Sequence, residues 1–250
     1  MKKALIIQGG WDGHEPVQVS DIFARVLREE EFEVNISDTL NTLLDVAYMQ
    51  SLHLIIPVWT MGTITDEQCK CVSEAVASGV GLAGCHGGMC DSFRESVTWQ
   101  FMTGGQWVAH PGNDSTPYRV NIRSISNPIT AGLKDFDVCS EQYYVHADPA
   151  NEVLAATIFP NENPATLGYH CSNPMISVPV VWTKCWGHGR VFYNSLGHHA
   201  DIFHAYEPLE LMRRGFLWAA AGRDKALAQG LDRSAFEIKK KEELGRSGSI

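Results

Sequence analysis

Residues 4–10, Ala4-Leu5-Ile6-Ile7-Gln8-Gly9-Gly10, form a nearly unbroken apolar run that stops at a pair of glycines. A strand with one wet face alternates polar and apolar residues, so a run without alternation predicts a strand buried on both faces. Behind it, Val17 to Glu31 carries apolar residues at Val19, Ile22, Phe23, Val26 and Leu27, a helical stripe opened by Pro16 in its first turn. Glu33 to Ser37 alternates as a second, shorter strand, and His53 to Val58 is a third buried run. Thr65 to Ser78 follows as a helix with Thr65 and Gln68 in capping-box spacing, and Val80 to Cys85 as a fourth strand. This rhythm predicts a mostly parallel, doubly wound α/β sheet with right-handed crossovers. Its ligand crevice belongs at the carboxyl ends of the strands.

Beyond residue 117 the pattern changes. Tyr118 to Ile122 and Gln142 to Val145 read as antiparallel strands that extend the sheet or form a lobe over the site. Val178 to Trp182 and Gly189 to Leu196 read as a hairpin across Lys184 to His188, and Glu207 to Ala221 as an amphipathic helix returning to the core. The expected organisation is one domain over residues 1–222, with a helical or partly solvated tail over 223–250.

The 250 residues carry 20 Lys and Arg against 29 Asp and Glu, a formal charge of −9. Phosphate contacts need clustered cations, so nucleic acid is excluded as an expected partner. The longest apolar runs reach about six residues, far short of the roughly 20 that a membrane span needs, so no membrane partner is expected. The short apolar start and seven scattered cysteines, an odd number, point to a cytoplasmic protein with reduced thiols. Gly79-Val80-Gly81-Leu82-Ala83-Gly84 matches a dinucleotide fingerprint letter for letter, but its glycines precede and run through the predicted strand. No nucleotide cofactor is expected from it.

The chemistry gathers after the strands. Gly84-Cys85-His86-Gly87-Gly88 puts small residues two positions either side of His86, the requirement of a sharp strand-to-helix elbow that lifts one side chain above a sheet. An imidazole there can serve as a general base or a metal ligand. His14 follows the first strand, His146 lies beyond the second antiparallel strand, and His198 follows the strand from Val191 to Leu196. A doubly wound sheet brings such positions to one edge, where imidazoles and a carboxylate can hold a divalent metal, zinc first, or act as an acid–base pair. His86 and Glu141 are the expected catalytic base and acid, and His14, His146 and His198 the expected metal ligands. Trp11, Asp12, Trp59, Asp91, Trp107 and Tyr143 are the expected substrate-binding residues, because aromatic faces stack on sugar C–H faces while polar groups take the hydroxyls.

Gly10-Trp11-Asp12-Gly13-His14-Glu15, Gly84-Cys85-His86-Gly87-Gly88-Met89, Phe101-Met102-x-Gly104-Gly105-x-Trp107, His110-Pro111 and Gly189 to His198 together resemble the trehalose-utilisation, or ThuA-like, family. The resemblance implies a flavodoxin-like three-layer sandwich of the class I glutamine amidotransferase-like superfamily. It also implies a role in disaccharide catabolism, on trehalose or a related 3-keto disaccharide, in functional partnership with a separate sugar dehydrogenase. Relatives of the amidotransferase type carry a catalytic Cys at the elbow, where this chain has His86, so glutamine hydrolysis is not expected. The expected activity is that of a sugar isomerase, hydrolase or lyase, in a possible homo-oligomer. The alternatives are a non-catalytic sugar-binding or regulatory module, and a thiol hydrolase using Cys85 or Cys90.

Overall fold

The computed structural model describes residues 1–160 and 174–236. In chain order the elements are β1 (Lys2–Gly10), α1 (Pro16–Glu29), β2 (Phe32–Ser37), α2 (Val46–Ser51), β3 (Leu54–Thr60), α3 (Asp66–Ala77), β4 (Gly81–Cys85), α4 (Gly87–Cys90), α5 (Val97–Thr103) and β5 (Gly105–Ala109). There follow β6 (Thr116–Ile122), β7 (Phe136–Ser140), β8 (Tyr144–Ala147), β9 (Glu152–Phe159), β10 (Ile176–Trp186), β11 (Gly189–Asn194) and α6 (Tyr206–Ala228). Short 3-10 turns join several of them.

One nine-stranded sheet runs in the order β2-β1-β3-β4-β11-β10-β9-β6-β7, and β5 pairs with β8 in a separate ribbon. The first five strands are parallel and the rest antiparallel. The predicted α/β architecture is therefore present, and the middle of the chain does both things expected of it: β6, β7 and β9 widen the sheet, while β5 and β8 form a lobe. The hairpin strand expected to end at Trp182 continues to Trp186, so its turn is only Gly187-His188. The last helix continues through residue 222 to Ala228. The remainder of the tail from residue 237, including Ile238 and the Lys239 to Glu243 run, lies outside the described residues, as do His170 and Cys171.

The apolar run of β1 is sorted by strand alternation. Ala4 and Ile6 join one core with Phe23 and Leu27 of α1 and Met212, Phe216 and Ala219 of α6. Leu5 and Ile7 join the other, with Met49 of α2, Val72 and Val76 of α3 and Trp99 and Met102 of α5. Both faces of β1 are dry, which explains why its sequence lacks alternation. Phe23 anchors the first core, edge-on to Phe203 and Phe216 with ring centroids 5.0 Å away in each case. Thr65 caps α3 as expected: its side chain accepts from the Gln68 N–H at 3.1 Å, and the Gln68 side chain accepts from the Thr65 N–H at 3.0 Å.

The glycines of the dinucleotide-like run precede and line β4. Gly81 is pressed against Ala219 of α6, where a Cβ would fall 2.6 Å from backbone carbon. They are packing glycines. Among the described residues, no helix is long and apolar enough to cross a membrane.

Candidate metal and sugar site

β1 has β2 on one side and β3 on the other, which opens a crevice at the carboxyl ends of the parallel strands. His14 arrives from the turn after β1, Thr60 from the end of β3, His86 from the end of β4 and His198 from the loop after β11. Glu141 comes from the far side, just after β7. Its loop is held over the crevice by the Tyr118 hydroxyl, which donates to the Glu141 carbonyl at 3.1 Å, and by the buried Gln142 amide, which donates to Thr157 Oγ1 at 2.7 Å and the Ile158 carbonyl at 3.1 Å.

His86 has φ 47° and ψ −141°, a left-handed conformation that costs a non-glycine residue about 1–3 kcal/mol, as the elbow reading required. The glycines beside it are needed for close approach. A Cβ on Gly88 would fall 3.0 Å from the Val58 Cα, and one on Gly87 would fall 2.7 Å from His14 Cε1 and Nδ1. Gly87 thus makes room for His14.

The four groups converge on one point. Glu141 Oε2 lies 3.1 Å from His86 Nε2, 3.2 Å from His198 Nδ1 and 3.9 Å from His14 Nε2. One ligand atom from each of the four fits within 4.8 Å of every other, and all four residues are buried. The far sides of two rings are already fixed: His14 Nδ1 meets Thr60 Oγ1 at 2.8 Å, and His86 Nδ1 meets the Ser195 carbonyl at 2.8 Å. A carbonyl only accepts, so His86 carries a proton on Nδ1 and turns Nε2 to Glu141 Oε2.

Electrostatics makes that arrangement informative. Burial lowers the His14 pKa to about 2, with help from His86 and His198, and burial lowers that of His86 despite the neighbouring carboxylate. Burial by itself would raise the Glu141 carboxyl, but the His198 and His86 bonds outweigh it and hold Glu141 well below the usual carboxylate range. His86 Nε2 and His198 Nδ1 thus converge on one carboxylate oxygen, at 3.1 and 3.2 Å. Ligand atoms sharing one ion at about 2.0–2.2 Å stand roughly 3–3.5 Å apart, so the His86, His198 and Glu141 spacings suit a bound cation.

His14, His198 and Glu141 floor a cavity of about 330 Å³, near the lower end of small-molecule sites, roughly 300–1,000 Å³, while His86 is buried and does not line it. Trp11, Met61, Asp91, Arg94, Trp107, His110, Asn113, Asp114 and Tyr143 form its walls. Trp11 stands at the rim, 47% exposed and edge-on to His14. Tyr143 is buried and stacks on His86 with ring centroids 4.0 Å apart. Asp91 accepts two bonds from Arg94, at 2.5 and 3.0 Å, and the guanidinium lies over the Trp107 ring at 4.7 Å.

Not every expected residue reaches the cavity. His146 is corrected as a metal ligand: in β8 its neighbour Val145 is buried, so strand alternation turns His146 outward. It is exposed beside Gln106 and Phe101 in a separate groove. Asp12 is exposed in the turn after β1, and Trp59 packs over Gly9 and Gly62; neither lines the cavity. Cys85 and Cys90 are buried, and burial pushes both thiols far up, against a thiolate nucleophile. Several cavity residues received no role from the sequence, Met61, Arg94, Asn113 and Asp114 together with His110, whose Nδ1 is 3.5 Å from Glu141 Oε1. For His110 the only local signal is His110-Pro111 at the end of β5.

A ThuA-like protein from Bacteroides uniformis shares this fold with a TM-score of 0.67 at 19% identity, over 87% of this chain and 91% of its own. One from Parabacteroides merdae gives 0.67 at 17%, over 89% and 91%. A cytoplasmic protein from Salmonella typhimurium gives 0.58 at 12%, over 89% and 98%. At these identities the likeness concerns the fold alone. No curated protein matches the chain. The family model ThuA, described as trehalose utilisation, matches residues 3–219, nearly the whole of the described fold, and the chain belongs to that carbohydrate-related family.

Proposed function

We propose that the protein is an enzyme that binds a divalent cation, zinc most readily, on His14, His86, His198 and Glu141, and acts on a keto-form of trehalose or a related sugar. The observation that carries the reading is the meeting of His86 Nε2 and His198 Nδ1 with one anionic carboxylate oxygen in a buried setting. Three imidazoles and a carboxylate suit zinc, and the Thr60 and Ser195 contacts fix ring orientation behind two of them. A bound cation supplies Lewis-acid polarisation of a sugar oxygen. The chain's own residues do the rest. Trp11 and Trp107 offer aromatic faces to a sugar ring, and Arg94, fixed by Asp91, offers its remaining N–H edge to hydroxyl or carbonyl oxygens. His110 walls the cavity on the Glu141 side. In this reading His86 and Glu141, expected as base and acid, are ligands first.

The test is elemental mass spectrometry on protein purified without a His tag or chelator, beside a His86→Ala, His198→Ala variant, followed by turnover assays on a panel of keto-disaccharides. Near-stoichiometric zinc, manganese or iron lost in the variant, with turnover that needs the ion, is the expected result. No metal in either protein overturns the cation site and leaves His86 Nε2 and Glu141 Oε2 as a metal-free acid–base pair. Sugar binding without turnover would make the pocket a recognition module.

A further inference from the structure

We propose that His110 is the residue that moves protons to and from the sugar, taking one from the carbon beside its keto group. With His14, His86, His198 and Glu141 taken as cation ligands, the reading on which this rests, few cavity groups are left to do so. A ligated imidazole has no lone pair to spare, and His86 does not line the cavity at all. Arg94 is always protonated, and Asp91 is tied to it by two bonds. Burial holds the Tyr143 hydroxyl well above its ordinary value, and Asp114 stands half-exposed at the rim. His110 remains.

Its placement suits the task. His110 follows β5, in the ribbon separate from the main sheet, and its carbonyl accepts from the Asn113 N–H at 3.1 Å. Thr116 Oγ1 pins the same turn by donating to the Asn113 carbonyl at 3.0 Å. The ring lies against Trp107, with centroids 5.4 Å apart, and the same indole carries the Arg94 guanidinium. Glu141 divides its two oxygens: Oε2 meets His86 and His198, while Oε1 lies 3.5 Å from His110 Nδ1. His110 Nδ1 is buried and at that distance not hydrogen-bonded, yet the side chain is 32% exposed, so its exposed part lies away from Glu141. A carboxylate beside one ring nitrogen favours the proton there and leaves Nε2 to exchange one with a ligand. A carboxylate orients a proton-transferring histidine in the same way in hydrolytic triads.

In the step, His110 Nε2 takes the proton from the carbon next to the keto carbon. The C–H electron pair becomes the second bond of a carbon–carbon double bond, and the carbonyl π pair moves to oxygen, giving an enolate. The free N–H edge of Arg94, on the same indole, donates to that oxygen. Return of a proton to the same carbon regenerates the keto-sugar, so in D₂O that carbon gains deuterium. No oxidant or reductant is consumed.

The experiment follows deuterium entry from D₂O into 3-keto-trehalose by NMR, using tag-free full chain. Metal content by elemental mass spectrometry and sugar binding by calorimetry are measured on the same samples of wild type, His110→Ala and His110→Gln. The wild type is expected to speed exchange beside the keto group above the enzyme-free rate. Both variants are expected to lose about 100-fold or more of that rate, the scale of acid–base catalysis, with metal content unchanged and the sugar still bound. Exchange at the wild-type rate in His110→Ala overturns the assignment. Loss of metal or of sugar binding from both variants also overturns it, since His110 then holds the site together rather than moving a proton. Metal-loaded wild type that catalyses no exchange overturns it too and leaves the cation site standing. Wild type without metal overturns the cation site alone, because exchange that still falls in His110→Ala supports the proton assignment.

Discussion

Gly87→Ala tests the cation site without touching any proposed ligand. The new Cβ would fall 2.7 Å from His14 Cε1 and Nδ1 and 2.9 Å from Thr60 Cγ2, whereas ordinary contacts begin at 3.4 Å. The His14 ring must therefore retreat by about 0.7 Å, the difference between ordinary contact and 2.7 Å, or the elbow must move by as much. Either shift strains the His14 Nδ1 contact to Thr60 Oγ1 and exceeds the roughly 0.2 Å tolerance of a metal–ligand distance several-fold. Overpacking of this size costs about 1–3 kcal/mol, which for a domain of this length lowers Tm by roughly 2–12 °C. Metal affinity should fall at least about ten-fold, the scale on which supporting residues act. Thermal melts of stripped protein and a Co²⁺ or Zn²⁺ titration of the folded variant measure the two effects. Gly88→Ala is the control, because its Cβ meets the Val58 Cα at 3.0 Å and the Pro57 carbonyl at 3.2 Å: it should destabilise the elbow with a smaller effect on affinity. Wild-type affinity in Gly87→Ala would refute the placement of His14 in the metal site.

Three further outcomes are expected. His146→Ala should leave metal content unchanged and stability within about 0.5 kcal/mol, and loss of metal on elemental analysis would return His146 to the site. Thr65→Ala should cost about 1 kcal/mol in denaturant unfolding through loss of the α3 cap, and an unchanged midpoint would show the cap to be dispensable. Hydrogen bonds from Arg213, helped by Arg214, hold the Glu210 carboxyl at about 2, below its usual 4.5. Its stabilisation is therefore present above pH ~4.5 and lost as pH falls through ~2. Unfolding midpoints of wild type and Glu210→Gln should differ at pH ~7 and converge near pH ~2; a constant gap would contradict the linkage.

The parallel half of the fold was legible because both faces of β1, β3 and β4 are dry, and continuous apolar runs carry that information locally. The hairpin was legible in position, but the length of β10 was not, since Lys184 to Trp186 reads as a turn until β11 pairs with it. The elbow at His86 was readable from its flanking small residues, because steric room there is a property of neighbours in sequence. β7 and β9 carry weaker local signals, since they gain their place in the sheet through long-range pairing.

The site divides along the same line. Sequence alone put His14, His86 and His198 after parallel strands, and the switch in strand order brings positions of that kind together wherever the chain places them. It also supplied the family motifs and the aromatic residues that became the cavity walls. Only tertiary structure decided which outlying groups join them. Glu141, expected from the sequence, reaches the crevice on a loop tied down by Tyr118 and Gln142, and His110 comes up beside its carboxylate from the end of β5. His146 fails to reach it because strand alternation in β8, set by pairing with β5, turns it to solvent. Strand periodicity and steric room are encoded locally and can be read from the chain; the facing of one imidazole nitrogen toward a particular carboxylate is set by packing between distant segments.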